Sequence, residues 1–220
     1  MTEGTLYVGT RRYSSWSLRG WLPVRLAGLD VAEMVIPLAG GVTAAVRAVS
    51  PGGTVPYLDH AGARVWDSLA IMEYCAEALP ALWPGERTAR AHARAIVAEM
   101  HSGFRALRTE MPMSLFRHAA GAGRTPLALA DIARIEAIWR ETRAMYGAGG
   151  PYLFGQTFGN ADAAYAPVVA RLLTYAPELQ ADTRAYCDAV RGHALVALWY
   201  ELAAQERDEW LIAAMEADAA

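Results

Sequence analysis

Thr54-Val55-Pro56-Tyr57-Leu58, followed a few residues on by Asp67-Ser68-Leu69-Ala70-Ile71, decides the reading of this 220-residue chain. A Val-Pro step that closes the Pro51-Gly52-Gly53 turn and leads into a short strand is a candidate cis peptide, because X-Pro bonds are where the cis form is affordable. Such a bond turns the N–H and C=O of Val55 outward, where an extended peptide pairs with them like an added strand. Asp67-Ser68 stands just ahead of an apolar-periodic helix, whose first N–H groups and positive dipole end favour a carboxylate. A backbone pairing edge beside an anion pocket describes a receptor for a small acidic peptide.

Outward from that pair, the chain reads as an ordinary globular protein. It is 54% hydrophobic and 20% charged, with a net charge of −3, which gives no push toward nucleic acid or an anionic membrane. All twenty basic residues are arginine, so no lysine is available for catalysis or for cradling phosphate. Cys75 and Cys187 each sit inside a helical pattern without a CxxC, as small buried hydrophobes of a reduced cytoplasmic protein do. The beginning of the chain lacks a signal-peptide pattern, and the most apolar late stretch, 194–204, is short and interrupted by Glu201. The expected location is cytoplasmic. Scattered histidines and two isolated cysteines offer no metal-ligand spacing.

Periodicity gives the element order. Leu6 to Gly9 reads as a strand, and Ser14 or Ser15 caps a helix carrying Trp16, Leu18, Trp21, Leu22 and Leu26 that stops at Gly28. Val31 to Leu38 reads as a second strand. After a loop at Gly40-Gly41, Thr43 to Val49 makes a short helix. Val55 to Asp59 and Arg64 to Trp66 form a hairpin around His60-Ala61-Gly62, and Leu69 to Ala78 is a third helix. Pro80, Pro84 and Gly85 mark a linker. Everything beyond it is helical, in segments 88–108, 129–146, 161–175, 182–195 and 197–215.

The order β-α-β-α-β-β-α followed by helices, together with the Val-Pro and Asp-Ser elements, resembles the cytosolic glutathione transferases over the whole chain. The resemblance implies an α/β thioredoxin-like domain over residues 1–80 that binds glutathione. It also implies an all-α domain over 88–220 that contributes the electrophile site. In that family the two elements hold the cysteinyl backbone and the γ-glutamyl carboxylate, which implicates Thr54, Val55, Pro56, Asp67 and Ser68, with Arg11 as a further contact. Family members usually carry Glu or Gln where this chain has Asp67, and many carry Lys or Gln near Thr54; both departures predict weaker binding.

In serine-type transferases the junction of first strand and first helix holds the hydroxyl that contacts the glutathione sulfur. Counting back from Gly28 puts Ser14 there, with Ser15 next. The zeta class, which includes maleylacetoacetate isomerase, has a Ser-Ser-Cys run here, against Ser14-Ser15-Trp16. Anchoring on the arginine within the helix shifts the register by two and places Arg12 and Tyr13 opposite the serine pair. Tyr13 is a third candidate, since other classes use a tyrosine. Ser14 reads equally well as a plain helix cap.

The chemistry asked of the hydroxyl is modest. A free thiol has a pKa of ~8.5, and lowering it by about two units takes ~2.7 kcal/mol. One charge-assisted hydrogen bond contributes about 1.5–3 kcal/mol and the first helix's N-terminus roughly 0.3–1. No general base is required. The co-substrate pocket is expected between the domains, lined by Trp16, Met100, His101, Phe104, Arg108 and Met111. It would take a small hydrophobic or acidic electrophile.

The implied activity is conjugation of glutathione to that electrophile by a homodimer, with no metal, nucleic-acid or membrane partner. A glutathione-dependent isomerase of the maleylacetoacetate type and a non-catalytic binding protein on the same fold are the alternatives. Near 159–162, Gly159 or Asn160 caps a helix to which Asp162 returns a bond.

Overall fold

The computed structural model describes residues 2–38 and 43–217; the loop expected at Gly40-Gly41 lies outside them. Four strands and three helices come first: β1 (Gly4–Gly9), α1 (Ser15–Leu26), β2 (Val31–Ile36), α2 (Ala44–Val49), β3 (Tyr57–His60), β4 (Ala63–Val65) and α3 (Ser68–Ala78). The sheet order is β2-β1-β3-β4, with β1 parallel to β2 and antiparallel to β3. This is the predicted thioredoxin-like arrangement, with a mostly helical remainder: α4 (Arg87–Ser102), α5 (Arg105–Glu110), α6 (Pro126–Tyr146), α7 (Asn160–Tyr175), α8 (Ala181–Gly192), α9 (Ala194–Ala204) and α10 (Ala213–Glu216).

The sheet's inner face follows from β1's alternation. Leu6 and Val8 are fully buried, and Leu6 stands opposite Leu58 of β3. On the other face Tyr7 stacks on Tyr57, with centroids 5.4 Å apart. Leu18, Trp21 and Leu22 of α1 complete this core. Ser14 caps α1 by accepting the Ser17 N–H, and Gly28, at φ +65°, takes the left-handed turn that ends it, as glycine does without steric cost. The β3–β4 hairpin turns on Ala61 and Gly62, both at positive φ, a pairing that matches the strands' own twist.

Helix α7 is the central rod of the second part, buried along nearly its whole length. Its cap is Gly159, not Asn160: the Gly159 N–H donates to Asp162 Oδ2 at 3.0 Å. A Cβ at Gly159 would stand 2.9 Å from the Leu82 carbonyl oxygen, which is why a side chain is missing there. Asn160 serves instead as a tie between the two halves, donating from Nδ2 to the Met72 carbonyl of α3 at 3.1 Å.

Three helices differ from the sequence reading. The segment 88–108 is two helices, because the chain turns at Gly103 and Phe104, whose φ of 56° and ψ of 46° are left-handed. Arg108 holds the break: its guanidinium donates to the carbonyls of Gly103 (2.9 Å), His101 (3.3 Å) and Met100, satisfying the end of α4. The segment 182–195 ends at Gly192, and His193 then caps α9. The segment expected as one helix over 197–215 stops at Ala204. There Glu206 turns inward to accept the backbone N–H groups of Arg11 (2.6 Å) and Arg12 (3.3 Å). The tail then crosses the β1–α1 loop and finishes in α10.

Candidate functional site

The Val55–Pro56 peptide is cis, and so is Trp66–Asp67. Beside the first of these lies a cavity of about 450 Å3 lined by Tyr13, Ser14, Trp16, Leu38, Val46, Thr54, Val55, Pro112, Ile212 and Met215. Both parts of the chain contribute to its walls. The edge at Thr54 and Val55 faces the start of α1, and Pro56 is buried behind it against Gly20 of α1, where a Cβ would meet the proline ring at 2.6 Å. The glycine therefore sets how closely the cis turn approaches α1.

Ser14 sits on the cavity wall in a hydroxyl chain. Its Oγ accepts the Ser17 N–H (3.3 Å) and its hydroxyl donates to Ser17 Oγ (2.7 Å), which also accepts the Gly9 N–H (2.8 Å). If the two hydroxyls exchange roles, Ser17 donates to Ser14 and the Ser14 proton is free to point into the cavity. Ser15 faces the other way: it is buried and its Oγ accepts from Arg171 at 3.3 Å. Tyr13 lines the cavity, but its phenol donates to Glu216 of α10 at 2.6 Å and accepts the Ile212 N–H at 3.1 Å. Burial first, and then the Glu216 carboxylate, push the Tyr13 pKa up to about 12. Glu216 also pairs with Arg12 at 2.9 Å, so the tail that roofs the cavity is fastened to the residues beside Ser14.

Asp67 and Ser68 begin α3. The Asp67 carboxylate caps it by accepting the Leu69 N–H at 2.9 Å, and its second oxygen lies 3.2 Å from His101 Nε2. The His101 ring stands edge-on to Trp16, with centroids 5.1 Å apart. Trp16 and His101 thus link the cavity to the start of α3. Ser68 is buried and lines a separate narrow cleft with Arg19 and His101.

Of the expected residues, the structure brings Tyr13, Ser14, Trp16, Thr54 and Val55 to one cavity and places Asp67, Ser68 and His101 next to it. Arg11 is elsewhere. Its guanidinium pairs with Glu33 of β2 at 2.7 Å, and its carbonyl accepts the Trp199 indole N–H; it is a tie between strand and tail. Met100, Phe104 and Met111 are core side chains, and Arg108 is committed to the end of α4. None of the four lines the cavity. Leu38, Val46, Pro112, Ile212 and Met215 take their place, the last two from a tail the sequence reading had placed inside a long helix. Among the described residues no three His, Cys, Asp or Glu side chains gather to hold a metal ion, and no helix is long and apolar enough to cross a membrane.

Residues 13–78 match the family model of the glutathione S-transferase N-terminal domain, the span that carries Ser14, Val55 and Asp67-Ser68. No curated protein matches the sequence. The whole fold is shared with solved glutathione transferases. A glutathione transferase homolog from Burkholderia GL BGR1 with bound glutathione superposes with a TM-score of 0.71 at 21% identity, over 93% of this chain and 100% of that one. The theta class enzyme of Xanthomonas axonopodis pv. citri, also with glutathione bound, gives 0.65 at 22% identity over 94% and 99%. A glutathione transferase from Methylococcus capsulatus gives 0.67 at 22% over 92% and 100%.

Proposed function

We propose that this chain is a glutathione transferase of the serine type: it binds reduced glutathione along Thr54 and Val55 and stabilises its thiolate with Ser14 for attack on an electrophile in the same cavity. The observation that carries the reading is the position of the Ser14 hydroxyl, on the wall of a cavity whose facing wall is the cis Val55–Pro56 turn. An extended peptide paired with Val55 runs past Ser14, and its acidic end reaches the start of α3. The Ser14 proton, released when Ser17 takes over as donor, then supplies the charge-assisted hydrogen bond, worth about 1.5–3 kcal/mol. The α1 N-terminus adds to it.

Of the three hydroxyl candidates, Ser14 has the geometry. Ser15 is turned toward Arg171, and the Tyr13 proton is held by Glu216. The mostly apolar remainder of the cavity, including Leu38, Val46, Pro112, Ile212 and Met215, suits a small hydrophobic electrophile. Pairing of two copies across α3 and α4 belongs to the same reading. Turnover of glutathione with 1-chloro-2,4-dinitrobenzene, an activated aryl halide, tests it. Ser14→Ala is expected to lower kcat/KM by about 30- to 150-fold, the rate equivalent of ~2–3 kcal/mol, while Ser15→Ala retains most of it. Equal rates in wild type and Ser14→Ala would overturn the assignment.

A further inference from the structure

Three arginines meet behind Trp16, which lines the cavity while none of them does. Arg19 of α1 and Arg108 of α5 each lie 4.8 Å from the Trp16 ring centroid, and Arg171 of α7 donates to Ser15 Oγ at 3.3 Å. Ser15 and Arg19 are four residues apart on α1 and so share one face of it. Arg19 and Arg171 are 1% and 4% exposed. Neither forms an ion pair with a carboxylate among the described residues. Arg171 also donates to the Pro167 carbonyl at 3.0 Å, but among the described residues no acceptor reaches any of the three Arg19 nitrogens. Burial, then Arg108 and Arg171, draw Arg19 well below the ordinary pKa of a guanidinium, and burial with Arg108 draws Arg171 down to about 9. A guanidinium nonetheless keeps its proton inside a protein, so the cluster is a buried excess of positive charge.

The groups around it do not cancel that excess. Of the acids near Ser14, Glu206 accepts the N–H groups of Arg11 and Arg12 and lies 3.9 Å from the Arg11 guanidinium, and Glu216 pairs with Arg12. Asp67 caps α3 and faces His101. Asp131 of α6 accepts the Leu107 N–H at 2.9 Å and offsets part of the Arg108 charge. Burial keeps the phenols of Tyr165 and Tyr175 neutral. Arg19 and Arg171 are left unbalanced. Lone buried charges destabilise a fold, and ionisable groups perturbed in this way cluster at functional sites.

The candidate site is one residue away. Ser14 precedes Ser15 by a single Cα step of ~3.8 Å. The two guanidinium groups therefore lie on the order of 10 Å from the Ser14 hydroxyl, with buried protein between.

We propose that Arg19 and Arg171, with Arg108 as a weaker third, are positioning residues that act through space, their field stabilising a negative charge at the Ser14 hydroxyl. They touch neither the ligand nor Ser14. In the serine-type reading, on which the inference rests for the identity of the anion, that charge is the glutathione thiolate. The counter-charge missing from the fold then arrives with the ligand. At about 10 Å and an effective dielectric near 20, each buried charge lowers a thiol's pKa by about one unit. Burial in a mostly apolar cavity pushes the thiol the other way; the field opposes that and leaves the Ser14 hydrogen bond to set the net lowering.

A thiol placed at the site reads the field without any ligand. In Ser14→Cys the new thiol is followed by ultraviolet thiolate absorbance against pH, while Cys75 and Cys187, pushed up to about 12 by burial, stay silent well below that. Adding Arg19→Met or Arg171→Met is expected to raise the new thiol's pKa by about one unit each. Adding Ser15→Ala, which removes the Arg171 contact and keeps the charge, is expected to leave it in place. Arg19→Met exchanges a lone buried charge for an apolar chain, so its urea midpoint is expected at or above that of its parent. A thiol unmoved by both methionine changes overturns the proposal, as does an equal shift from Ser15→Ala. An Arg19→Met chain that fails to fold overturns the part given to Arg19, and Arg171→Met then decides the field alone.

The same methionine changes beside the native Ser14 are read on bound glutathione, where a rise of about one unit in each matches the reporter thiol. If the reporter moves and glutathione does not bind, the field stands and the glutathione reading falls. If glutathione binds with a lowered thiol pKa that neither change alters, that reading stands and the field falls.

Discussion

Changing Asp162 to asparagine tests the energetics of the rod on which the second half of the fold is built. The Asp162 carboxylate is buried at the start of α7, where it accepts the Leu153 N–H (3.1 Å), the Gly159 N–H (3.0 Å) and the Tyr186 hydroxyl (3.0 Å). Burial outweighs these three donors and raises its pKa to about 6 from 3.8. The sign follows from proton binding: between those values the folded chain holds a proton that the unfolded chain has released, so stability falls as pH rises through the window. The full shift corresponds to ~3 kcal/mol, of which about 2–3 kcal/mol is lost between pH 4 and pH 7. The asparagine side chain cannot titrate. It also turns an amide N–H toward a backbone N–H, a mismatch that costs about 1–3 kcal/mol at every pH.

Urea unfolding of wild type and Asp162→Asn at pH 4 and pH 7 isolates the group, because every other titration cancels in the difference. The variant is expected to be less stable than wild type at pH 4, and that deficit is expected to shrink by about 2–3 kcal/mol at pH 7. Parallel profiles would refute the raised pKa. A deficit that grows toward pH 7 would mean that the three hydrogen bonds outweigh burial.

Gly20→Ala should cost stability although alanine is the better helix former by about 1 kcal/mol. Its Cβ would meet the Pro56 ring at 2.6 Å, and overpacking of that kind costs about 1–3 kcal/mol; a variant more stable in urea by the full propensity difference would contradict the packing. Cys75 and Cys187 are buried, and burial pushes both thiols up to about 12. A disulfide reagent such as dithionitrobenzoate is expected to find neither in the native protein and both after denaturation, and fast labelling of the native chain would reopen a cysteine-based chemistry.

Much of the first half was legible in the sequence because its signals are local. Val55–Pro56 offers the one residue type that makes a cis bond cheap, Ser14 and Asp67 are good cap residues standing before apolar-periodic runs, and Gly28 supplies a left-handed stop. The Trp66–Asp67 cis bond carries no such mark. What sequence missed depends on partners far along the chain. The segment 88–108 reads as one helix, whereas Gly103 and Phe104 end it and Arg108 seals the end. Arg11 sits at the right junction for a ligand contact, but its direction is fixed by Glu33 and by the tail. Glu206 and Glu216, 195 and 203 residues from Arg11 and Tyr13 respectively, pull the tail over the cavity. Met100, Phe104 and Met111 share the right region and the wrong face, a distinction that helical spacing alone does not make when a helix breaks between them.

The central claim is that Ser14 holds a glutathione thiolate in the cavity beside Val55. The measurement that tests it most directly is the ultraviolet absorbance of the thiolate of protein-bound glutathione as a function of pH, in wild type and Ser14→Ala. A bound thiol titrating about two units below the free value of ~8.5, and returning toward that value in the variant while glutathione still binds, is the predicted result. A bound thiol with an unshifted pKa, or a shift that Ser14→Ala leaves intact, would contradict it.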